Sequence, residues 1–214
     1  MSLIQTVKMA MARGVAAEAS RRRVLNVGGG SKSIAIPAHY DGWDHLLLDI
    51  DPKVNPDVLC DARELTALEP ASFDAVYCSH NLEHYYPHDG ARVLQGFKHV
   101  LNSAGFAEIR VPDIASVMRA CVERNMDVND VLYMSPGGPI SARDVLYGWE
   151  KEIRESGNDF YAHKTGFTAK ALTATLERAG FRPIFVAEVP QAFELCALAF
   201  AGDPQPWQKA VFGL

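Results

Sequence analysis

Four short apolar runs, each closed by a glycine, a proline or a polar residue, mark the first part of the chain. They lie at residues 23–27, 46–50, 58–60 and 73–79. Their length and composition are typical of buried parallel strands. Residues 89–101 place Val93, Phe97 and Val100 at helical spacing, and residues 105–111 alternate as a strand that ends at Pro112. Strands that alternate with helices predict βαβ units and a parallel sheet covered on both faces.

Further helices and strands are predicted at the two ends of the chain. One helix is expected over residues 4–20, and a second begins near Ser31 and ends by Pro37. A third covers residues 168–179 and is followed by Gly180, the residue typical of a helix C-cap. The strand-like segments 181–189 and 193–201 come next. So short a connection requires these two strands to be antiparallel.

Residues 113–165 interrupt the alternation of strands and helices. They contain a predicted helix at 113–124, a Pro-Gly-Gly-Pro turn at 136–139 and the polar stretch 150–158. We interpret the segment as an insertion at the top of the sheet that acts as a substrate cap. The chain is thus predicted to be one domain, residues 1–214, with an N-terminal helix within residues 1–22.

Composition excludes several classes of protein. The chain of 214 residues is 48% hydrophobic and 22% charged, which is typical of a soluble globular protein and not of a disordered or collagen-like one. With 21 basic against 26 acidic side chains, it lacks the basic excess of nucleic-acid-binding proteins. No apolar stretch reaches the roughly 18 residues needed to span a membrane.

The cysteines and the C-terminal aromatic residues bear on location and assembly. The four cysteines are scattered without a C-x-x-C pair, which favours reduced thiols over disulfides or a zinc site. A cytoplasmic location is the resulting expectation, with no membrane partner. Trp207 and Phe212, if exposed, are candidates for a homodimer contact.

The turn after the first predicted strand is the strongest candidate for a binding site. Gly28, Gly29 and Gly30 would let the backbone approach a ligand closely. Asp49 ends the next strand, where a carboxylate can accept hydrogen bonds from both ribose hydroxyls of a nucleoside. Ligands in such sheets bind at the carboxyl ends of the strands. Ser33 stands where the dinucleotide fingerprint G-x-G-x-x-G has its last glycine, which weakens an NAD interpretation.

Several segments, in their order and spacing, resemble the motifs of class I S-adenosylmethionine-dependent methyltransferases. VLNVGGG (24–30) is similar to the first motif of that family, and LLLDID (46–51) to the second. CDARELTAL (60–68) is similar to the segment after the third strand, and FDAVYCSHNLEHY (73–85) to the fourth-strand motif of the small-molecule branch. Later matches are LNSAGFAEIRVPD (101–113), AGF (179–181) and the predicted hairpin.

The resemblance implies a fold and an activity. The fold is a three-layer α/β sandwich around a seven-stranded, mostly parallel sheet with a reversed terminal strand. The activity is methyl transfer from S-adenosyl-L-methionine to an unidentified small or medium acceptor. Two positions depart from the family pattern: Asn26 stands where an acid is usual, and Lys32 where a third glycine is usual.

The resemblance also implies a set of cofactor-binding residues. The three glycines would line the methionine portion, and Asp49, in preference to Asp51, would bind the ribose. Ile50 would lie against the adenine, while Asp61 would accept a hydrogen bond from its exocyclic amine and the Ala62 N–H would face a ring nitrogen. The sulfonium and its methyl group would be bordered by two residues just past the fourth strand, Ser79 and His80.

Candidate catalytic and substrate residues follow from the same placement. A general base is needed only if the acceptor must lose a proton. His84 and His80 are candidates because the loop after the fourth strand faces the transfer point. Tyr161 and His163, at the far edge of the insertion, are the candidate substrate residues.

Three other interpretations stay open. His80–His84 spells H-x-x-E-H, a zinc-peptidase signature in which His80 and His84 bind the metal and Glu83 acts as base. Asp49-Ile50-Asp51 is a D-x-D string of the kind that holds a divalent cation in sugar-nucleotide transferases. Asn26 and Lys32 are also compatible with a module that binds the nucleotide without transferring methyl groups. No metal is part of the preferred interpretation.

Overall fold

A computed structural model describes residues 21–135 and 137–214, so the helix predicted over residues 4–20 lies outside the described residues. The strands are β1 Arg23–Val27, β2 Asp44–Asp49, β3 Val58–Leu59, β4 Phe73–Ser79, β5 Leu101–Pro112, β6 Val131–Ser135, β7 Gly138–Ser141, β8 Ile184–Val189 and β9 Glu194–Phe200. Seven of them form one sheet in the order β3-β2-β1-β4-β5-β9-β8. All neighbours pair in parallel except β9, which is antiparallel to both β5 and β8. The predicted seven-stranded sheet with a reversed strand is confirmed.

The α-helices in the described residues are α1 Pro87–Val100, α2 Ile114–Glu123, α3 Ala142–Tyr147, α4 Glu150–Ser156, α5 Ala169–Arg178 and α6 Pro206–Phe212. Proline at the first position of α1 fits a helix start, because that N–H has no partner within the helix. Thr168 caps α5 by accepting a hydrogen bond from the backbone N–H of Ala171 at 3.2 Å. None of these helices is long and apolar enough to cross a bilayer.

Apolar side chains of α1 and α5 cover one face of the sheet. Val93, Leu94 and Phe97 of α1 and Leu172 and Leu176 of α5 are fully buried there. Burying a side chain of this size stabilises the fold by about 1.5–3 kcal/mol. The sheet is thereby held rigidly behind the carboxyl ends of its strands.

The opposite face of the sheet is packed by aromatic side chains. Trp207 and Phe212 of α6 contact the buried ring of Phe106, with ring centroids 6.2 Å and 5.1 Å away. Trp207 also lies edge-to-face with Trp43 at 5.7 Å. Trp207 and Phe212 are therefore partly buried within the chain, and a homodimer contact through them stays a prediction. All four cysteines are free thiols.

The helix predicted between Ser31 and Pro37 is absent from this part of the structure. Residues 28–37 form turns, followed by a single 3-10 turn, Ala38–Tyr40. The Ser31 hydroxyl bonds to the Ser33 hydroxyl at 2.8 Å and accepts from the Ser33 backbone N–H at 3.1 Å. Such local side-chain bonds compete with the helical backbone pattern. The glycine turn is therefore not followed by a helix.

The insertion forms a small unit at the carboxyl ends of the strands. It contains α2, α3, α4 and the hairpin of β6 and β7 around its own buried side chains, Val117, Leu132, Ala142 and Val145. Contacts that tie it to the sheet edge include the Asp113 N–H, which donates to the Phe193 carbonyl at 2.8 Å, and the Lys164 N–H, which donates to the Glu83 carbonyl at 2.8 Å. The helix predicted over 113–124 is α2.

Candidate active site

The glycine turn lies between the ends of β1, β2 and β4. The Gly28 N–H donates to the Leu48 carbonyl at 2.8 Å, and the Gly30 N–H donates to the Asp49 carboxylate at 3.2 Å. Gly28 and Gly30 have φ values of +69° and +65°, which favour glycine. A Cβ atom on Gly28 would lie 2.1 Å from the Asn81 amide nitrogen. The turn is thus closed by the loop that follows β4.

The Asp49 and Asp51 carboxylates accept hydrogen bonds from different backbone groups. Asp49 accepts from two backbone N–H groups, those of Gly30 and Asp51, the latter at 3.0 Å. Asp51 instead accepts from the Lys53 N–H at 2.9 Å and so caps the 3-10 helix Pro52–Val54. Asp49 therefore belongs to the glycine turn, whereas Asp51 serves the segment that leads away from it.

Asp61 stands at the end of β3 and is fixed by its neighbour. Its carboxylate accepts from the Arg63 backbone N–H at 2.9 Å and from the Arg63 guanidinium at 2.6 Å. Burial raises the pKa of Asp61, but the Arg63 hydrogen bonds outweigh it and the net shift is downward. Asp61 is thus a fixed anion at neutral pH. Ala62 beside it is buried, at 2% exposure.

The departures from the family pattern are accommodated by local contacts. Asn26 is buried under Gly29, and its amide nitrogen lies 3.3 Å from the His45 ring nitrogen. The Lys32 ammonium lies 2.6 Å from the Asp57 carboxylate. Lys32 is therefore paired away from the glycine turn, and Asn26 supports the turn from below.

Asn81 is a site residue that the sequence analysis missed. Its amide lies against Gly28, and its carbonyl oxygen is buried with no hydrogen-bond partner among the described residues. Leaving a buried acceptor unpaired costs about 1–3 kcal/mol, a cost that a ligand donor removes. The string Ser79-His80-Asn81 after β4 was the available signal, since it directly follows a buried strand.

His80 is held as a cation. Its backbone has φ +49°, and its ring nitrogens lie 3.0 Å from the Glu194 carboxylate and 3.5 Å from the Glu83 carboxylate. Burial favours the neutral ring, but the hydrogen bond to Glu194 and the nearby negative charge of Glu83 outweigh it and raise the pKa of His80 to about 10. A ring already protonated at neutral pH cannot take up a further proton. The structure thus argues against His80 as the general base.

Glu194 is fixed in turn by Arg110. The Arg110 guanidinium on β5 lies 3.0 Å from the Glu194 carboxylate on β9 and bonds to Glu108 at the same distance. His80 follows β4, so this network links three neighbouring strands at the carboxyl edge of β4. Sequence analysis missed Glu194 and Arg110, because the sheet brings together residues far apart in the chain.

His84, His163 and Glu83 meet where the loop after β4 contacts the end of the insertion. The rings of His84 and His163 lie 4.9 Å apart, edge to face. The His163 Nδ1 lies 2.9 Å from the Val145 carbonyl, and burial lowers the pKa of His163. Glu83 is 1% exposed. The structure thus brings the candidate base His84 and the candidate substrate residue His163 into contact.

Tyr161 lies at the end of the insertion. It ends the 3-10 helix Asp159–Tyr161 and is 37% exposed. Partial burial raises the pKa of Tyr161, and the negative charges of Glu152, Asp51 and Asp49 raise it further. Its neighbours Asp159 and Phe160 line a cavity together with Ile50, so the insertion extends over the end of β2.

The H-x-x-E-H and D-x-D interpretations fail on local geometry. Leu82–His84 is a 3-10 turn, and His80 bonds to Glu194 and does not share a helix face with His84. Asp49 and Asp51 accept from backbone N–H groups within their own loops. His80 and His84 therefore do not face one ion as the H-x-x-E-H signature requires, although Glu83 and His84 lie together with His163. Asp49 and Asp51 belong to no cluster of three ligating side chains in the described part of the chain.

A cavity of about 280 Å³ opens at this edge. Its lining combines residues of the sheet edge with residues of the insertion: Ile50, Asp61, Arg63, Asn81, His84, Tyr85, Tyr86, Asp89, Asp159, Phe160 and Lys164. Ile50 is 40% exposed. Predicted adenine-binding residues and a candidate base therefore share one cavity with the insertion.

Comparison with known proteins agrees with this arrangement. A model of the methyltransferase domain family matches residues 5–185. A methyltransferase from Archaeoglobus fulgidus is 16% identical, with a TM-score of 0.53 over 92% of this chain and 93% of that one. A second, from Mesorhizobium loti, is 19% identical, with a TM-score of 0.53 over 92% of this chain and 100% of that one.

A third similar structure contains ligands. It is the 1,6-didemethyltoxoflavin-N1-methyltransferase of Burkholderia thailandensis with 1,6-didemethyltoxoflavin and S-adenosylhomocysteine bound. It is 18% identical, with a TM-score of 0.51 over 94% of this chain and 79% of that one. None of the curated proteins matches this chain in sequence.

Because the family model covers most of the sequence, the chain belongs to the methyltransferase domain family. It has the class I fold, and its activity is methyl transfer from S-adenosylmethionine. The site fits that cofactor on its own evidence. The Asn81 oxygen beside the glycine turn is buried without a partner among the described residues and can accept from a ligand N–H, and Ile50, Asp61 and Asn81 line one cavity at this edge.

Proposed function

We propose that the methyl acceptor is a small molecule held between the insertion, residues 113–165, and the carboxyl ends of β2 and β4. The observation that carries this proposal is the shared cavity: Ile50 and Asp61 line the part proposed for the adenine, and His84, Phe160 and Lys164 line the part proposed for the acceptor. A cavity of about 280 Å³ suits small ligands. The toxoflavin methyltransferase among the similar structures, which acts on 1,6-didemethyltoxoflavin, supports an acceptor of this kind.

The cofactor would be held mainly by the glycine turn and the strand ends. Gly28, Gly29 and Gly30 would line the methionine portion, and the Asn81 oxygen is available to its ammonium group. Asp49 keeps lone pairs for the ribose hydroxyls in addition to the two N–H groups it accepts from.

The adenine would lie beside the end of β3. Ile50 offers an exposed apolar surface to the ring, and the fixed carboxylate of Asp61 can accept from the exocyclic amine. The Ala62 N–H is the partner proposed for a ring nitrogen. These groups are backbone atoms or locally fixed side chains, so they need little rearrangement on binding.

The chemistry requires alignment above all. When bound, S-adenosylmethionine supplies an electrophilic methyl group on a sulfonium whose sulfur is a good leaving group. A lone pair of the acceptor forms the new bond to the methyl carbon while the carbon–sulfur bond breaks, with both electrons left on sulfur. Holding donor and acceptor in line contributes up to about 7–11 kcal/mol. Ser79 and the backbone of His80 border this position, and the His80 N–H is fixed by the Arg110 carbonyl at 2.9 Å.

His84 is the residue proposed to contact the reacting atom of the acceptor. It lines the cavity, whereas His80 is committed to two carboxylates. Where the acceptor must lose a proton, a neutral His84 ring can take it. Tyr161 and His163 are proposed to shape the acceptor side of the cavity from the insertion.

A turnover screen tests the proposal. The purified chain is incubated with S-adenosylmethionine and a panel of hydroxylated and nitrogen-heterocyclic compounds, and methylated products are detected by mass spectrometry. We expect S-adenosylhomocysteine to form only with a subset of small molecules. Methylation of protein or nucleic acid with none of the panel would contradict a small-molecule acceptor.

One observation favours a second candidate, a module that binds the cofactor without turnover. Asn26, in place of an acid, is buried against His45 and offers no carboxylate to the cofactor ammonium. Calorimetry with S-adenosylhomocysteine separates the two candidates. Micromolar binding with no turnover on any small molecule, protein or nucleic acid would favour the module.

A further inference from the structure

Three metal-ligating side chains converge beside the acceptor cavity. One ligand atom each from Glu83, His84 and His163 lies within 4.8 Å of the other two. Glu83 and His84 belong to the loop after β4, and His163 comes from the end of the insertion. The three therefore meet only because the insertion folds back onto that loop.

Glu83 lacks the partners that a buried carboxylate needs. The side chain is 1% exposed, and neither carboxylate oxygen has a hydrogen-bond partner among the described residues. The nearest cationic group is the His80 ring, 3.5 Å away, and that ring is shared with Glu194 at 3.0 Å. Buried charges are normally paired or bound to a metal. A further positive charge next to Glu83 would therefore stabilise its buried carboxylate.

His163 presents a lone pair to that carboxylate. Its Nδ1 lies 2.9 Å from the Val145 carbonyl, and because a carbonyl can only accept, Nδ1 carries the hydrogen. The Nε2 of the neutral ring then faces the Glu83 Oε1 at 4.0 Å. Two acceptors face each other with no donor between them. Metal-binding histidines characteristically donate their other N–H to such a carbonyl or carboxylate.

His84 completes the group. Its two ring nitrogens lie 3.2 Å from the Ala162 carbonyl and 3.1 Å from the His80 carbonyl. Both partners are carbonyls that can only accept, so the His84 ring must release one of these two contacts before that nitrogen can bind a cation. The three side chains are otherwise already gathered within ligand reach of one another.

We propose that Glu83, His84 and His163 bind a divalent transition-metal ion, with zinc as the reference, next to the acceptor cavity. Two imidazole nitrogens and one carboxylate suit zinc and its neighbours better than magnesium or calcium, which prefer oxygen ligands. Ligand atoms around tetrahedral zinc lie about 3.3 Å apart, so the three atoms, which lie within 4.8 Å of one another with 4.0 Å between His163 and Glu83, must move closer together when the ion binds.

The role of the ion rests on the proposed function. With three protein ligands, a fourth position stays open, as in catalytic zinc sites. His84 lines the acceptor cavity, so an oxygen or nitrogen of the acceptor can occupy that position. The metal would orient the acceptor atom and make its proton easier to lose to solvent. With the metal bound, His84 is a ligand and no separate base is required.

Cobalt titration tests the site without any methyl acceptor. The full chain is freed of metal with a chelator and titrated with Co²⁺, and visible absorbance reports nitrogen-bound cobalt of low coordination number. We expect one equivalent to bind and to be displaced by Zn²⁺. Glu83→Gln and His163→Gln should each weaken binding by at least about tenfold, whereas His88→Gln, at an exposed histidine outside the cluster, should bind as the wild type does.

The outcomes distinguish this inference from the proposed function. Circular dichroism first establishes that each variant is folded. If folded wild-type protein binds no stoichiometric Co²⁺ or Zn²⁺, or if Glu83→Gln and His163→Gln both leave binding unchanged, the metal site is wrong, whatever the turnover screen gives. In the turnover screen, methyl transfer that is stimulated by Mg²⁺ but not by Zn²⁺ or Co²⁺ would also overturn the metal site. One-equivalent binding that both variants weaken supports the metal site even if no small-molecule acceptor is found.

Discussion

The two halves of the carboxyl edge are built in different ways. The half proposed to bind the cofactor, called here the cofactor half, contains the glycine turn, Asp49 and Asp61 and is held mainly by hydrogen bonds of the backbone at neighbouring strand ends. The half proposed to bind the acceptor, called here the acceptor half, is held by side chains from residues 80–84, from the insertion and from β9. The first half is local in sequence, and the second assembles only when remote segments meet.

This difference separates contacts that the fold itself provides from contacts that depend on the residues of this chain. Backbone geometry at strand ends follows from the fold, so the same geometry can bind the nucleoside in any protein of the family. Side-chain contacts such as those of His80 with Glu194 depend on single residues in three segments. Acceptor choice can therefore change by substitution in the second half while the first stays intact.

The largest effect is expected from a substitution in the glycine turn, where a new side chain would lie closest to Asn81. In Gly28→Ala, the new Cβ would meet the Asn81 amide at 2.1 Å on a backbone with φ +69°. We expect affinity for S-adenosylhomocysteine to fall about 100-fold, because relieving the clash displaces Asn81, whose oxygen is proposed to accept from the charged ammonium group, a bond worth about 1.5–3 kcal/mol.

Gly42→Ala is the matched control for that change. Gly42 has φ +80° with nothing within 4 Å, so alanine there brings the same kind of strain without the clash. Calorimetry should show unchanged cofactor affinity. Equal losses in the two variants would mean that the Asn81 contact has no part in binding.

A smaller loss is expected when the ribose contact is removed. Asp49→Ala should weaken binding of S-adenosylhomocysteine by at least about tenfold, because hydrogen bonds to a charged acceptor contribute about 1.5–3 kcal/mol. Asp51→Ala, which removes only the cap of the 3-10 helix Pro52–Val54, should lower affinity much less. The reverse order in calorimetry would move the ribose role to Asp51.

The acceptor half is tested by a substitution that leaves the proposed cofactor contacts unchanged. Phe160 lines the cavity from the insertion and is 46% exposed. Phe160→Ala should raise the KM for the acceptor about three- to tenfold through lost apolar contact, with cofactor affinity unchanged. Phe185→Ala on the outermost strand β8 is the control, and a KM shift of the same size there would remove Phe160 from the acceptor site.

The smallest effect is expected from removing the positive charge of His80, which pairs the loop after β4 with Glu194. The pKa of His80 is raised from 6.5 to about 10, so its contribution to stability is complete below pH 6.5 and is lost as pH rises through about 10. Thermal melting of the wild type and His80→Gln should therefore differ most near pH 6 and converge above pH 10. Because the ring is half-exposed, the difference is expected to be about 1 kcal/mol or less. A gap that widens with pH would contradict the cationic ring.

Sequence patterns predicted the cofactor half better than the acceptor half. The strands, the glycine turn and Asp49 lie in short stretches whose pattern is local, and the reversed strand followed from a three-residue connection. The helix after Ser31 was predicted wrongly, since the two serines bond to each other and to the backbone. Asn81, Arg110 and Glu194 were missed because their roles depend on which strands become neighbours.

The position of β9 also affects how the molecule is made. This strand lies between β5 and β8 and carries Glu194, yet along the chain it follows β5 only after the insertion and α5. While β9 is undocked, β5 has an open edge, and unpaired strand edges are prone to join other chains. Docking of β9 therefore covers that edge and brings Glu194 to His80 at the same time. Aggregation during folding should depend on how quickly the β8–β9 hairpin docks.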